Sequence, residues 1–230
     1  MSDPVIEARE LRKNYRGGDG GTIEVLRGVD LAVETGEFVA VTGESGSGKS
    51  TLLHLLGALD RPTAGRVKLD GLDYEGLSPE ALAALRNGRM GFVFQFHHLL
   101  RDFTALENVA LPLLIGGTGP AAARTRAREL LESVGLGGRL SHLPAQLSGG
   151  EQQRTAVARA LAAGPALILA DEPSGNLDER NAAQLHALFA GLARDFQIAV
   201  VVVTHNRALA GLADRILTLH EGVLLEMVTR

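Results

Sequence analysis

The sequence predicts an α/β fold built on a parallel sheet, and three features predict it. A short apolar run at residues 37–42 leads through a glycine-rich turn into a helical pattern over 49–59. Farther along, the alternation returns, with a strand at 166–170, a helix at 181–194, a strand at 198–203 and a helix at 207–212. Strands spaced by helices need crossover connections, and crossovers give parallel strands. Between these two stretches, residues 103–161 show no strand pattern, so a helical insertion is expected there.

Residues 5–15, 24–33 and 37–42 are rich in β-branched side chains and partly alternate. Breaks at 17–21 and at Thr35-Gly36 divide them, so the chain is expected to begin with strands. In 49–59, Leu52, Leu53, Leu55, Leu56 and Leu59 make one broad helical face. Residues 66–69 and 91–95 read as strands, and 79–87 reads as a helix capped by Ser78 with Pro79 in its first turn. The insertion carries helical stretches at 105–114, 120–134 and 149–163. Near the C-terminal end, 216–219 and 223–227 flank Glu221-Gly222 as a hairpin.

A length of 230 residues suits one domain, and 45% hydrophobic with 22% charged residues excludes wholesale disorder. The balance of 23 basic against 27 acidic side chains gives a net charge of -4, which argues against a general nucleic-acid binder. Cysteine is absent, which removes disulfides, thiolate metal sites and cysteine nucleophiles together. The apolar runs at 166–170 and 198–203 fall far short of the roughly 20 residues that span a bilayer. The opening MSDPVIEARE also lacks the basic start and apolar stretch of a secretory leader, so any membrane role is expected to be peripheral.

Chemistry concentrates in three places. Residues 43–50 read GESGSGKS, a full G-x-x-x-x-G-K-[ST] match between a predicted strand and a predicted helix. In such a loop the backbone N–H groups of Gly43, Glu44, Ser45, Gly46, Ser47 and Gly48 can curl around phosphate oxygens. Lys49 adds charge, Ser50 can ligate Mg²⁺, and Thr51 follows in the first helical turn. Residues 166–172, ALILADE, form a strand that stops at two carboxylates, where open α/β sheets bind ligands. Alternation along the strand would send Asp171 toward the metal and Glu172 toward an attacking water as general base. Residues 147–154, LSGGEQQR, put Ser148 three residues before Glu151 ahead of a helix. That pattern is a capping box, and equally a second anion-binding helix start formed by Ser148, Gly149 and Gly150.

The order GESGSGKS, LSGGE, ILADEP, SGNLD (174–178) and Thr204-His205 resembles the ATP-binding cassette (ABC) ATPases along the whole chain. The resemblance implies a P-loop NTPase (RecA-like) parallel-sheet core with an N-terminal antiparallel β subdomain and an inserted helical subdomain at about 96–163, all within one domain, 1–230. It implies ATP and Mg²⁺ as cofactors and a head-to-tail dimer of two copies, in which Ser148 and Gly150 of one touch the γ-phosphate held by the other. Tyr15 then matches the adenine-stacking aromatic, Gln95 the loop glutamine near Mg²⁺ and the attacking water, His205 the switch histidine, and Asp178 the loop aspartate that senses the facing subunit.

Within that family, QFHHLLRDFTALENV (95–109) and LPLLIG (111–116) resemble the ATPase subunits of the lipoprotein-releasing transporters of Gram-negative bacteria. This subgroup implies integral membrane subunits as partners, membrane contact through them alone, no nucleic acid, and a peripheral place on the cytoplasmic face of the inner membrane. His97 and His98 are expected to serve partner contact or the loop itself rather than a metal, having no acids or cysteines beside them. Arg101, Ser174 and Asn206 depart from the proline, threonine and aspartate usual at their positions. The competing readings are an ATPase of the related macrolide-exporter or cell-division type, and a non-transport ABC protein acting on DNA or ribosomes.

Overall fold

The computed structural model describes residues 3–18 and 20–226, organised around two sheets. The larger has six strands in the order β10-β9-β3-β8-β7-β6. Its members are β3 (Phe38–Thr42), β6 (Met90–Phe94), β7 (Leu167–Asp171), β8 (Ala199–Val203), β9 (Arg215–His220) and β10 (Val223–Glu226). Strands β9, β3, β8, β7 and β6 pair in parallel, and β10 adds an antiparallel edge. The expected end of that hairpin at Met227 lies outside the described residues. Strands β7 and β8 are buried almost throughout, which explains why LILAD and AVVVV are continuous apolar runs rather than alternating ones.

The smaller sheet is antiparallel, in the order β2-β1-β4-β5, with β1 (Ile6–Arg16), β2 (Thr22–Val33), β4 (Ala64–Leu69) and the two-residue β5 (Leu72–Asp73), which no sequence pattern announced. Its core-facing side chains, among them Ile6, Leu11, Leu26 and Leu69, join Val39, Val41, Leu167, Leu169, Val201 and Val203 from one face of the parallel sheet. Helix α1 (Lys49–Leu56) lies in this core through Leu52, Leu53, Leu55 and Leu56. The other face, carrying Phe38, Ala40, Ile168, Ala170, Val200 and Val202, packs on helices of the insertion and of the C-terminal part, so the period-2 alternation of each strand feeds two cores.

Between β6 and β7 lie α3 (Ala105–Ile115), α4 (Pro120–Ser133) and α5 (Gly149–Leu161), as the missing strand pattern predicted. Helix α5 runs antiparallel to β6. Near its start Gln153 Nε2 donates to Phe94 O at 2.9 Å, and near its end Ala160 lies against Gly91, so close that a Cβ there would be 2.5 Å from the Ala160 carbonyl. The N-terminus of α5 therefore points to the carboxyl end of the sheet. Helix α2 (Pro79–Arg89) has the predicted Ser78 cap, and α6 (Glu179–Phe196) and α7 (Arg207–Ala210) complete the α-helices among the described residues.

Several ends differ from expectation for local reasons. Helix α1 stops at Leu56 rather than 59, because Ala58 turns left-handed at φ 52 and the chain folds back on His54 O through Leu59 and Asp60. Helix α6 starts two residues early, because Asp178 caps it by accepting from Asn181 N at 2.8 Å. Helix α7 is one short turn, closed by Gly211. Among the described residues no helix is long and apolar enough to cross a membrane.

Candidate active site

The register of the parallel sheet assembles the site. Phe94 pairs with Asp171, Asp171 with Val203, and Val203 with Val41, so four adjacent strands end level. The residues that follow those ends are Gln95, Glu172, Thr204-His205 and the loop beginning at Gly43. Sequence-distant residues thus meet along one edge, where such sheets bind ligands.

Gly43 leads off the phosphate-type loop with φ 147, and a Cβ on it would lie 2.4 Å from Leu219 O, so only glycine fits beside β9. Gly48 ends it as the left-handed N-cap of α1, with no side chain capping the helix, which leaves the first-turn N–H groups facing the loop. Lys49 Nζ donates to the Gly43 and Glu44 carbonyls at 2.9 and 2.8 Å, holding its charge over the loop. Ser47 Oγ is buried with no hydrogen-bond partner, and a Cβ on Gly46 would meet nothing within 4 Å. An orphaned buried hydroxyl in this loop, next to a glycine with open space, fits a phosphate chain.

Ser50, in the first turn of α1, stands near Asp171 at the end of β7. Burial pushes the Asp171 carboxyl up, the Ser50 hydroxyl opposes that, and the neighbouring Glu172 charge adds to it. A hydroxyl and a carboxylate meeting beside a phosphate-type loop are the oxygen donors that Mg²⁺ takes along with phosphate. The residues present therefore fit ATP with Mg²⁺.

Glu172 lies beyond β7, and strand alternation does not place it. Its backbone is left-handed at φ 44, with its N–H on Val203 O at 2.9 Å, and this sharp turn throws the side chain across to β8. There Oε1 accepts from the His205 N–H at 3.0 Å and from His205 Nδ1 at 2.7 Å, while Oε2 accepts from Thr204 Oγ1 at 3.0 Å. The His205 N–H also lies 3.3 Å from Oε2, and this long shared contact is the one that a further proton would replace. With Nδ1 donating to Glu172, His205 presents Nε2 outward from a side chain that is 75% exposed.

Gln95 Nε2 donates to Asn176 Oδ1 at 3.1 Å and lies against Gly175, so the SGNLD loop holds it. Ser148 caps α5 in a full capping box, with Ser148 N on Glu151 Oε2 at 2.8 Å. Gly150, in the first turn, faces Asn181, whose amide also donates to Asp178 Oδ2 at 2.8 Å. The Asp178 carboxyl is held below its usual range by the Asn181 N–H and side chain. Tyr15 sits at the end of β1, 39% exposed. Helix α5 lies over β6, three strands from the loop after β3, so the structure separates Ser148, Gly149 and Gly150 from Lys49 rather than joining them.

Against known proteins, the family model described as "ABC transporter" matches residues 26–175. The chain belongs to the ABC transporter family. Similar curated ABC proteins include the "Lipoprotein-releasing system ATP-binding protein LolD" of Novosphingobium aromaticivorans, 54% identical, with 97% of this chain and 100% of that one covered. The protein of the same name from Legionella pneumophila (strain Paris) is 50% identical over 97% and 98%. Among solved structures, the ATP-binding cassette described as a dimer in a post-hydrolysis state bound to ADP and Pi gives a TM-score of 0.89 at 40% identity, covering 98% of this chain and 99% of that one.

Three supporting residues escaped the sequence reading. Asn176 and Thr204 stand inside recognised motifs, yet only the structure gives them partners. Arg159 donates to the His97 and His98 carbonyls at 2.8 Å each, fastening the loop after Gln95 to α5.

The α5 cap carries a pH signature. The Ser148 N–H, then the Arg139 guanidinium, hold the Glu151 carboxyl down at about 2 against an ordinary 4.5. A depressed folded value means the contribution is full above about pH 4.5 and is lost as the pH falls toward 2. Denaturant midpoints are expected to drop more steeply between pH 5 and pH 3 in the parent than in Glu151→Gln; parallel pH dependences would remove Glu151 from that role.

Proposed function

We propose that this chain is the ATP-hydrolysing subunit of a lipoprotein-releasing ABC transporter, a peripheral protein on the cytoplasmic face of the bacterial inner membrane. It acts as a single ABC domain over 1–230 with a helical subdomain at about 96–163, drives integral membrane subunits through ATP hydrolysis, and touches the membrane only through them. The single observation that carries the ATPase reading is the level ending of β3, β8 and β7, which brings Asp171 to the same edge as the loop that holds Lys49. The lipoprotein reading rests on the likeness over nearly the full length to relatives named for that system.

The residues divide the work. The amides of 43–48 and Lys49 cradle the phosphates, with Thr51 in the first helical turn; Tyr15 is the platform for the base. Ser50 and Asp171, with Gln95 in reach of the same edge, hold Mg²⁺, which supplies charge neutralisation at the phosphate oxygens. Glu172 takes a proton from the attacking water, and His205 fixes the Glu172 carboxylate through Nδ1. Ser148, Gly149, Gly150 and Asp178 serve the nucleotide of a second copy packed head to tail. Neighbouring strands are about 4.8 Å apart, which puts β6 about 14 Å from β3, too far for the α5 start to reach its own chain's phosphates.

The membrane subunits are expected to dock where the loop after Gln95 leaves apolar side chains uncovered. Leu99 is buried in the insertion, whereas Phe96 is 65%, Leu100 41% and Phe103 40% exposed. The test is coexpression with the adjacent membrane-protein genes, followed by purification and ATP-dependent release of a lipoprotein from proteoliposomes. Phe96→Glu and Phe103→Glu are expected to abolish copurification and release while the isolated chain still hydrolyses ATP. Folded variants that bind the subunits and release normally would exclude this docking site, and a wild-type complex that hydrolyses ATP without releasing lipoprotein would exclude the substrate.

A further inference from the structure

We infer that Asp60 and Lys13 are positioning residues for the nucleotide base, pinning the Tyr15 ring from behind so that its open face is set before ATP arrives. The inference rests on the reading of Tyr15 as the base platform. Tyr15 Oη donates to Asp60 Oδ2 at 2.9 Å, across 45 residues of sequence. The other oxygen of Asp60 accepts from Lys13 Nζ at 2.8 Å, and the same ammonium donates to Arg61 O at 2.7 Å. Lys13 is only 9% exposed, and its Nζ stands 4.9 Å from the Tyr15 ring centroid, over one face of it. With that face covered by a cation, the opposite face is the one left for a purine.

The network links the ring to the phosphate loop's own helix. Asp60 belongs to the segment after α1 that folds back onto His54 O, and this segment is stitched to β1 by Thr63 N on Arg12 O at 2.9 Å and Asn14 N on Thr63 Oγ1 at 3.0 Å. Tyr15, carried by β1, is thereby tied to the segment that follows the C-terminal end of α1. A ring held in its binding rotamer gives up no freedom when a base stacks on it, which is how preorganisation raises affinity.

Inorganic tripolyphosphate, which has no base, separates this role from mere support of α1. Equilibrium binding of Mg²⁺–ATP and of Mg²⁺–tripolyphosphate is measured for the full chain and for Tyr15→Ala, Tyr15→Phe, Asp60→Asn and the Tyr15→Phe/Asp60→Asn double variant. Tyr15→Ala is expected to weaken ATP about tenfold or more and tripolyphosphate by less than about twofold, as loss of one stacked base requires. Tyr15→Phe keeps the ring and loses only the hydroxyl; it and Asp60→Asn are each expected to weaken ATP alone by about three- to tenfold, with the double variant no worse than either. If Tyr15→Ala leaves ATP binding intact, the platform reading fails and the inference with it. If Tyr15→Ala weakens ATP but Tyr15→Phe and Asp60→Asn do not, the platform stands and the positioning role is overturned. Equal losses for ATP and tripolyphosphate, or additive losses in the double variant, also overturn it. Should Asp60→Asn fail to fold, Tyr15→Phe decides alone.

Discussion

Glu172→Gln is expected to lower ATP turnover by about 10²–10⁴ while leaving ATP binding in place. The replacement is isosteric, so the left-handed turn at 172 and its N–H on Val203 O have no reason to change. The amide oxygen can still accept from His205 Nδ1, and Thr204 Oγ1 keeps its other bond, accepting from Asn206 N at 3.0 Å. What disappears is the basicity of the carboxylate, because an amide oxygen does not take a proton from water. Phosphate release under single-turnover conditions, paired with equilibrium ATP binding, reads the two effects separately. A Gln variant that binds ATP and turns over within about threefold of the parent would take the general-base role away from Glu172.

The edge of the sheet was legible because its residues sit in short motifs whose chemistry depends on neighbours in sequence. The phosphate loop needs glycines and a lysine at fixed spacing, and the continuous apolar runs of β7 and β8 announce strands buried on both faces. The sequence reading aimed the Glu172 side chain by alternation along a strand; the structure delivers it by a left-handed backbone instead. What stayed hidden depends on partners far away in the chain. Lys13 and Asp60 are 47 residues apart, and neither lies in a motif. Asn108 is another case, a polar residue inside an apolar helix. It is fully buried, with Oδ1 accepting from Leu100 N at 2.8 Å and Nδ2 donating to the Leu100, Phe103 and Thr104 carbonyls, so it shapes the loop that exposes Leu100 and Phe103. The sequence 96–103 shows an apolar cluster, but which members turn inward follows from that buried amide.

Ser148→Arg is expected to abolish hydrolysis while each chain still binds one ATP. In the folded chain Ser148 caps α5, and its loss costs about 1 kcal/mol. Half of the capping box survives the substitution, because the backbone N–H of residue 148 still reaches Glu151 Oε2. The start of α5 therefore persists, and the new side chain acts through its bulk and charge at the surface offered to a second copy. The first turn has no slack to absorb it, since a Cβ on Gly150 would lie 2.2 Å from Asn181 Oδ1. Lys49→Ala is expected to fail for the opposite reason, losing the charge that sits over the loop and with it ATP affinity. The two defects fall on the same composite site when the variants are mixed. In a head-to-tail heterodimer, one site joins the Lys49→Ala loop to the Ser148→Arg helix, and the other joins an intact loop to an intact α5 start. Mixtures are expected to recover hydrolysis that neither variant shows alone, rising with the heterodimer fraction measured by differential tagging. If heterodimers form and no activity returns, two independently working trans sites are excluded; if Ser148→Arg alone hydrolyses ATP normally, the α5 start does not serve the nucleotide of the facing copy.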